Sequence, residues 1–178
     1  MAQYRLSAQI IKRTSGHSAT AAAAYRAGAI IVDQRTGVTH DYSRKGGVMH
    51  SEIRAPEDAP DWMRDRAKLW NAVEKAEKRY DAQLAREIQL SLPHELDKQR
   101  RLQLVRSFID DQFVSEGMIA DFAIHEPDKK GDSRNYHAHI LLSTRSLFGD
   151  GFGNKNRDWN DACLLYTSDA ADDLWCVG

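Results

Sequence analysis

Two histidines separated by one residue, His137 and His139 in the segment NYHAHILLSTR (residues 135–145), stand out first as residues able to do chemistry. Side chains on a β-strand alternate between faces, so the pair projects to one side about 7 Å apart. A third imidazole, His125, ends the segment MIADFAIHEPD, and antiparallel pairing of the two segments would carry it to the other two. Three neutral imidazoles hold a divalent ion and leave positions open on it, as a catalytic rather than a structural metal requires. The pair has two readings, as metal ligands or as hydrogen-bonded histidines on a partly exposed strand, and the third histidine favours the first. No H-E-x-x-H is present, no Asp-His follows the pair, and no histidine follows His139, so zincin, metallo-β-lactamase and cupin patterns are absent. Nitrogen ligands of this kind suit zinc, manganese, iron or nickel, whereas magnesium normally takes oxygen.

Tyr25, in SGHSATAAAAYRAG, is the second candidate. One account makes it a core aromatic whose hydroxyl reaches the surface. The other makes it a nucleophile toward phosphorus, once a metal polarises the phosphate and stabilises the developing charge. A free phenol has a pKa of about 10, so that role needs a base or a nearby cation. Residues 1–54 carry eight Lys and Arg against three Asp and Glu, although the whole chain has a net charge of −1. A basic first third leaves room for an anionic partner.

The elements that must position these residues follow from periodicity and punctuation. QYRLSAQII (3–11) alternates as a strand with Tyr4, Leu6, Ala8 and Ile10 on one face. Ser18 is the expected N-cap of a helix through the alanine run, and Gly28 its stop. AIIVD and VTHDYS flank QRTG as a hairpin. Residues 55–85 begin with turn signals and become a long amphipathic helix with Trp62, Leu69, Trp70 and Val73 on its apolar side. REIQLSLP is a strand ended by Pro93, and residues 95–117 a second helix with Leu102, Val105, Phe108, Ile109 and Phe113 at helical spacing. The two histidine strands close the order β-α-ββ-α-β-α-β-β. The expected class is α+β, a mostly antiparallel central sheet with helices packed chiefly on one face.

At 178 residues the chain fits one domain with a real core, and it has no apolar run of membrane-spanning length and no signal-peptide pattern. A cytoplasmic protein without membrane insertion is expected. Both cysteines, Cys163 and Cys176, lie in the last sixteen residues, which excludes a disulfide scaffold or a cysteine-ligated zinc in the body. The segment CLLYTSDAADDLWCVG has three Asp, no Lys or Arg and no clear period, and it resembles a translated sequencing adaptor. The expected division is a domain over 1–162, truncated at its C-terminal end, and a non-native tail over 163–178.

SGHSATAAAAYRAG, REIQLSLPHEL and HEPDKKGDSRNYHAHILLSTR resemble, in family order, the three motifs of the MobA/MobL relaxases, a group that includes TraA-type conjugal transfer proteins within the HUH endonuclease superfamily. The resemblance extends from residue 1 to about 161, and GFGNKNRDWND after the third motif agrees with it. It implies a relaxase palm and a strand-specific DNA nickase acting at a plasmid transfer origin, with magnesium or manganese as the divalent metal. Tyr25 matches the nucleophile, His125, His137 and His139 the metal triad, and Glu87 the acidic residue of the second motif, near the metal or as a proton acceptor. A second acid can stand two residues later in the family, where this chain has Gln89.

Single-stranded DNA is the implied partner, with relaxosome accessory proteins and a coupling protein beyond it. Candidate DNA contacts are Arg5, Lys12, Arg13, Arg26, Arg44, Lys45, Lys129, Lys130 and Arg134, with Tyr42 and Tyr136 as stacking platforms. Arg145 is a candidate partner for a carboxylate near the site. Two rival readings predict different products. A three-histidine metallohydrolase using metal-bound water gives free ends and no adduct, and a metal-stabilised DNA-binding domain gives binding without cleavage. A rolling-circle initiator usually places its tyrosine after the H-x-H motif, whereas Tyr25 precedes it.

Overall fold

The computed structural model describes residues 5–161, so Tyr4 and the segment 163–178 lie outside the described residues. In chain order its elements are β1 (Leu6–Lys12), α1 (Ala19–Ala27), β2 (Ile30–Val32), β3 (Thr39–Asp41), β4 (Val48–Arg54), α2 (Arg66–Ala76) and β5 (Gln83–Leu92). Then follow α3 (Lys98–Ile109), β6 (Ala120–His125), β7 (Tyr136–Leu142), β8 (Arg145–Phe148), β9 (Gly151–Lys155) and α4 (Asp158–Asp161). The central sheet has five strands in the order β1-β5-β7-β6-β4, every neighbouring pair antiparallel. The α+β class with an antiparallel sheet is as the sequence predicts.

Alternation along the central strands divides the core in two. Ile88, Ile140, Phe122 and Ile124 face α3, where Val105 and Ile109, with Phe113 just beyond, complete one apolar cluster. The opposite face carries Leu141 against Ala19, Ala23 and Ala24 of α1 and Leu69, Trp70 and Val73 of α2. The three longer helices therefore divide two to one across the sheet, with Trp159 of α4 joining the α3 side. Each fully buried Ile or Phe here contributes about 1.5–3 kcal/mol of transfer free energy. The alanine run does more than favour helix: its small side chains let α1 lie close against the sheet and α2.

Helix ends are set by local chemistry. Ser18 accepts from the Ala21 amide, as expected of the N-cap, and Gly28 ends α1 in the left-handed region at φ 62°. A Cβ at Gly28 would also stand 3.3 Å from Val48. The long helix expected over 55–85 is shorter. Asp65 caps its start by accepting from the Lys68 amide, with a 3-10 turn before it over Asp61–Arg64. Arg13 ends it by donating to the carbonyls of Glu74, Glu77 and Arg79. The chain then turns early enough for β5 to begin at Gln83. Asp121, buried on β6, accepts from Arg66 and Trp70 and so fixes α2 to the sheet.

The structure adds elements that the sequence pattern does not announce. β4 is an edge strand whose six register partners on β6 run from Val48 to Arg54, with a bulge between Val48 and His50. Its residues VMHSEIR are all only partly buried, so no clean alternation marks it. The β8–β9 hairpin follows the last central strand and is anchored by Arg145 and Lys155 on Glu77. Among the described residues, no helix is long and apolar enough to cross a membrane.

Candidate active site

The site is assembled by strand register. His125 and His137 are direct cross-strand partners on β6 and β7, and His139 lies two residues along on the same face. Their ring centroids are 4.9–5.3 Å apart, and one nitrogen from each lies within 4.8 Å of the others. The expected convergence of three histidines is present.

Each ring has one nitrogen occupied. His139 Nδ1 bonds Glu87 Oε1 at 2.8 Å, His137 Nδ1 bonds the Asn135 carbonyl at 3.0 Å, and His125 Nε2 bonds the Arg26 carbonyl at 2.7 Å. An imidazole facing a carbonyl must donate, which leaves the opposite nitrogen unprotonated and free to ligate. Burial pushes the His125 pKa down to about 4, against the opposing effect of its Arg26 hydrogen bond. Burial also lowers that of His137. Neutral rings at physiological pH are what a divalent ion needs. The donor set and its hydrogen-bonded surroundings thus suit a divalent metal, which these three imidazoles would hold.

Glu87 lies on β5, opposite Leu141 of β7 and Gln9 of β1, and is 2% exposed. Its Oε1 accepts from His139 and from Arg26 Nε (2.5 Å), its Oε2 from Arg26 Nη2 (2.9 Å) and Gln9 Nε2 (2.5 Å). Burial works to raise this carboxyl, but the hydrogen bonds from His139 and Arg26, the Arg26 charge and Gln9 outweigh it and hold the pKa at about 2. A carboxylate offers about four lone-pair sites, and here four donors take them. Such a group orients its neighbours and has no room to accept a proton from a substrate. Gln89, opposite His139 in register, is exposed.

Tyr25 ends in solvent rather than the core, with 42% of its surface exposed on the last turn of α1. The Lys45 ammonium lies 3.5 Å from its ring centroid and donates to its carbonyl at 2.9 Å. Tyr42 meets the ring edge-on at 5.2 Å. Burial and the Arg26 charge lower the Lys45 pKa. Asp41, Tyr42, Arg44 and Lys45 line an open cleft of about 420 Å³ beside it.

The cations anticipated as DNA contacts separate by burial, with Lys45 half-buried against the Tyr25 ring. Arg5, Lys12, Arg44, Lys129, Lys130 and Arg134 are exposed, the last paired with Asp132 at 2.9 Å. Arg13 and Arg26 are instead engaged within the protein, on Glu74 at 2.6 Å and on Glu87. In both cases the guanidinium meets a carboxylate that is almost fully buried. Arg145 pairs with Glu77 under the β8–β9 hairpin. Tyr136 has one ring face covered by Arg101, 3.6 Å from its centroid. The sequence reading passed over Gln9, and only the β1–β5 register reveals it.

The chain is similar to known proteins in sequence and in fold. The MobA/MobL family model matches residues 17–170. Mobilization protein MobL of Acidithiobacillus ferridurans is 45% identical over 172 residues, covering 85% of this chain and 45% of its own length. Conjugal transfer protein TraA of Rhizobium radiobacter is 40% identical over 165 residues, covering 87% of this chain and 14% of its own length. The chain thus spans less than half the length of these curated relatives. A solved structure described as "Molecular Basis of Vancomycin Resistance Transfer in Staphylococcus aureus" superposes with a TM-score of 0.80 at 35% identity, covering 89% of this chain and 82% of that one.

Proposed function

This chain belongs to the MobA/MobL family, and from that premise we propose that it nicks one DNA strand at a plasmid transfer origin during conjugative mobilisation. The reaction is a transesterification. Tyr25 Oη forms a bond to the scissile phosphorus as the bond from phosphorus to the 3′ oxygen breaks. The phenolic proton passes to solvent and the leaving 3′ oxygen takes one up from solvent to become a hydroxyl, so no net proton is lost, and the 5′ phosphate remains on Tyr25. One phosphodiester replaces another, so the step is reversible and the strand can be rejoined without a nucleotide cofactor.

The observation that carries this reading is the joining of a half-exposed tyrosine to a three-histidine cluster through one residue, Arg26, next to Tyr25 in the chain and bonded to His125 and Glu87. His125, His137 and His139 would hold a magnesium or manganese ion, which when bound supplies Lewis-acid polarisation of the phosphate. Glu87 keeps His139 in one tautomer and orientation. Lys45 holds positive charge against the Tyr25 ring, where an incoming phosphate would lie. Exposed Arg5, Lys12, Arg44, Lys129, Lys130 and Arg134 would neutralise phosphates of the flanking single strand, and Tyr42 would stack on an unpaired base. A cytoplasmic setting with accessory proteins of a transfer complex and a coupling protein follows from the same reading.

The test is covalent capture. Labelled single-stranded origin oligonucleotides incubated with the chain and Mn²⁺ should give a protein-linked band on a denaturing gel. Tyr25→Phe and chelator should each abolish it, while Tyr25→Phe leaves DNA affinity within about threefold, since one ring edge is a small part of a charge-dominated interface. An adduct that survives Tyr25→Phe removes the tyrosine from this role. Free cleaved ends without an adduct would instead support attack by metal-bound water.

A further inference from the structure

Arg26 follows Tyr25 in α1 and reads from sequence as one more cation for DNA. Its geometry differs from that of a surface phosphate contact. The side chain is 21% exposed, and its guanidinium grips both oxygens of Glu87, a side chain with 2% exposure, through Nε and Nη2. A two-point fork on a carboxylate fixes its plane as well as its charge. Glu87 in turn bonds His139, so the orientation of that imidazole is set from α1 across β5. The other end of the same residue does a similar job: the Arg26 carbonyl accepts from His125. Two of the three imidazoles are therefore held by the residue adjoining the tyrosine, one through its side chain and one through its backbone.

We infer that Arg26 is a positioning residue: it holds His139, through Glu87, and His125, directly, in fixed relation to Tyr25, and so couples metal affinity to the placement of the nucleophile. This rests on reading the tyrosine and the histidines as one site. Coupling is reciprocal, so whatever orders the end of α1 tightens the metal and the metal orders the end of α1. Lysine cannot replace this arginine, because a point charge meets one carboxylate oxygen and leaves the plane free. Glu87 and Arg26 act in series, and their substitutions must not add.

The experiment is calorimetric titration of Mn²⁺ into the 178-residue chain without DNA, for the wild type, Arg26→Gln, Arg26→Lys, Glu87→Gln and the Arg26→Gln/Glu87→Gln double variant. Loss of a partner behind a metal ligand typically weakens affinity about 10–100-fold, and Arg26→Gln should fall in that range. Arg26→Lys should recover only part of the loss. The double variant should be no more than about threefold weaker than the worse single one, the signature of two groups in one chain of contacts. Thermal unfolding with chelator verifies the folds, and if Arg26→Gln does not fold, Arg26→Lys against Glu87→Gln makes the same comparison. Unchanged Mn²⁺ affinity in a folded Arg26→Gln, with weaker DNA binding alone, would restore the phosphate-contact role and overturn the inference. Additive losses, or a wild type that takes up no Mn²⁺, would overturn it too. Nicking is not read in this titration, so a failure of the Tyr25 adduct assay strikes the proposed function separately.

Discussion

Two faces of one sheet carry nearly the same constellation and use it differently. On the α1 side, Glu87 is gripped by Arg26 and bonds His139 at 2.8 Å. On the α3 side, Glu52 of β4 is gripped by Arg106 and Arg54 and bonds His50 at 2.9 Å. Both carboxyls are held near pKa 2, in each case because hydrogen bonds from arginine and histidine outweigh burial. The histidines separate them. His139 has two further imidazoles within 4.8 Å, whereas His50 lies beside the Phe122 ring at 5.8 Å. Arg54 also reaches Asp110 beyond α3, so the second constellation fastens an edge strand to a helix. A carboxylate–histidine pair is thus no sign of a metal site; convergence of several free ring nitrogens is.

The largest effect that could break this contrast comes from removing the histidines themselves. His139→Ala should weaken Mn²⁺ binding more than 100-fold by the order of a lost ligand set against a lost outer partner, and should abolish the DNA adduct. His50→Ala should leave Mn²⁺ affinity within about twofold, since the nearest groups it touches are not ligands. Calorimetry on both variants decides it. A large loss of metal affinity in His50→Ala would mean the two faces communicate and the contrast is wrong.

A smaller effect should appear in stability. Glu52→Gln removes the charge that holds Arg106, Arg54 and His50 together at the sheet edge. These partners are partly solvated, so after screening the loss should be about 1 kcal/mol, read as a lower thermal midpoint with unchanged Mn²⁺ affinity. An unchanged midpoint would mean that β4 is held by its backbone pairing and by Met49 and Ile53 alone.

The same contrast explains what the sequence could and could not say. The histidine face was legible because spacing of two on a buried strand, with His125 closing the strand before, needs only one antiparallel pairing to converge. Ser18 and Gly28 marked α1 because caps are local chemistry. β4 was not legible: Val48, Met49 and Ile53 are interspersed with His50, Glu52 and Arg54, and the ion pairs that hold Glu52 and Arg54 reach residues over fifty positions away. Asp65 and the Arg13 clamp shortened α2 for a related reason, since periodicity continues through both and only a cap or a distant guanidinium stops it. The engagement of Arg26 was hidden in the same way. Residue type fits a phosphate or a carboxylate equally, and Glu87 lies 61 positions along the chain.

The smallest expected effect concerns acid. Glu52 and Glu87 both have folded pKa values of about 2 against an ordinary 4.5. Each is depressed on folding, so its stabilisation is fully present above about pH 4.5 and is lost as pH falls through about 2. With chelator present, Glu52→Gln and Glu87→Gln should each flatten the fall of the thermal midpoint between those limits, and by similar modest amounts. Acid alone therefore cannot separate the two faces, but metal can. A ligand that binds the folded state raises stability in proportion to the logarithm of its concentration over its dissociation constant, and a tenfold weaker site forfeits about 1.4 kcal/mol of that gain at saturation. At pH 7, excess Mn²⁺ should raise the midpoint of Glu52→Gln by as much as the wild type and that of Glu87→Gln by less. Equal responses in the two variants would mean that Glu87, like Glu52, only fastens strands, and that His139 keeps its orientation without it.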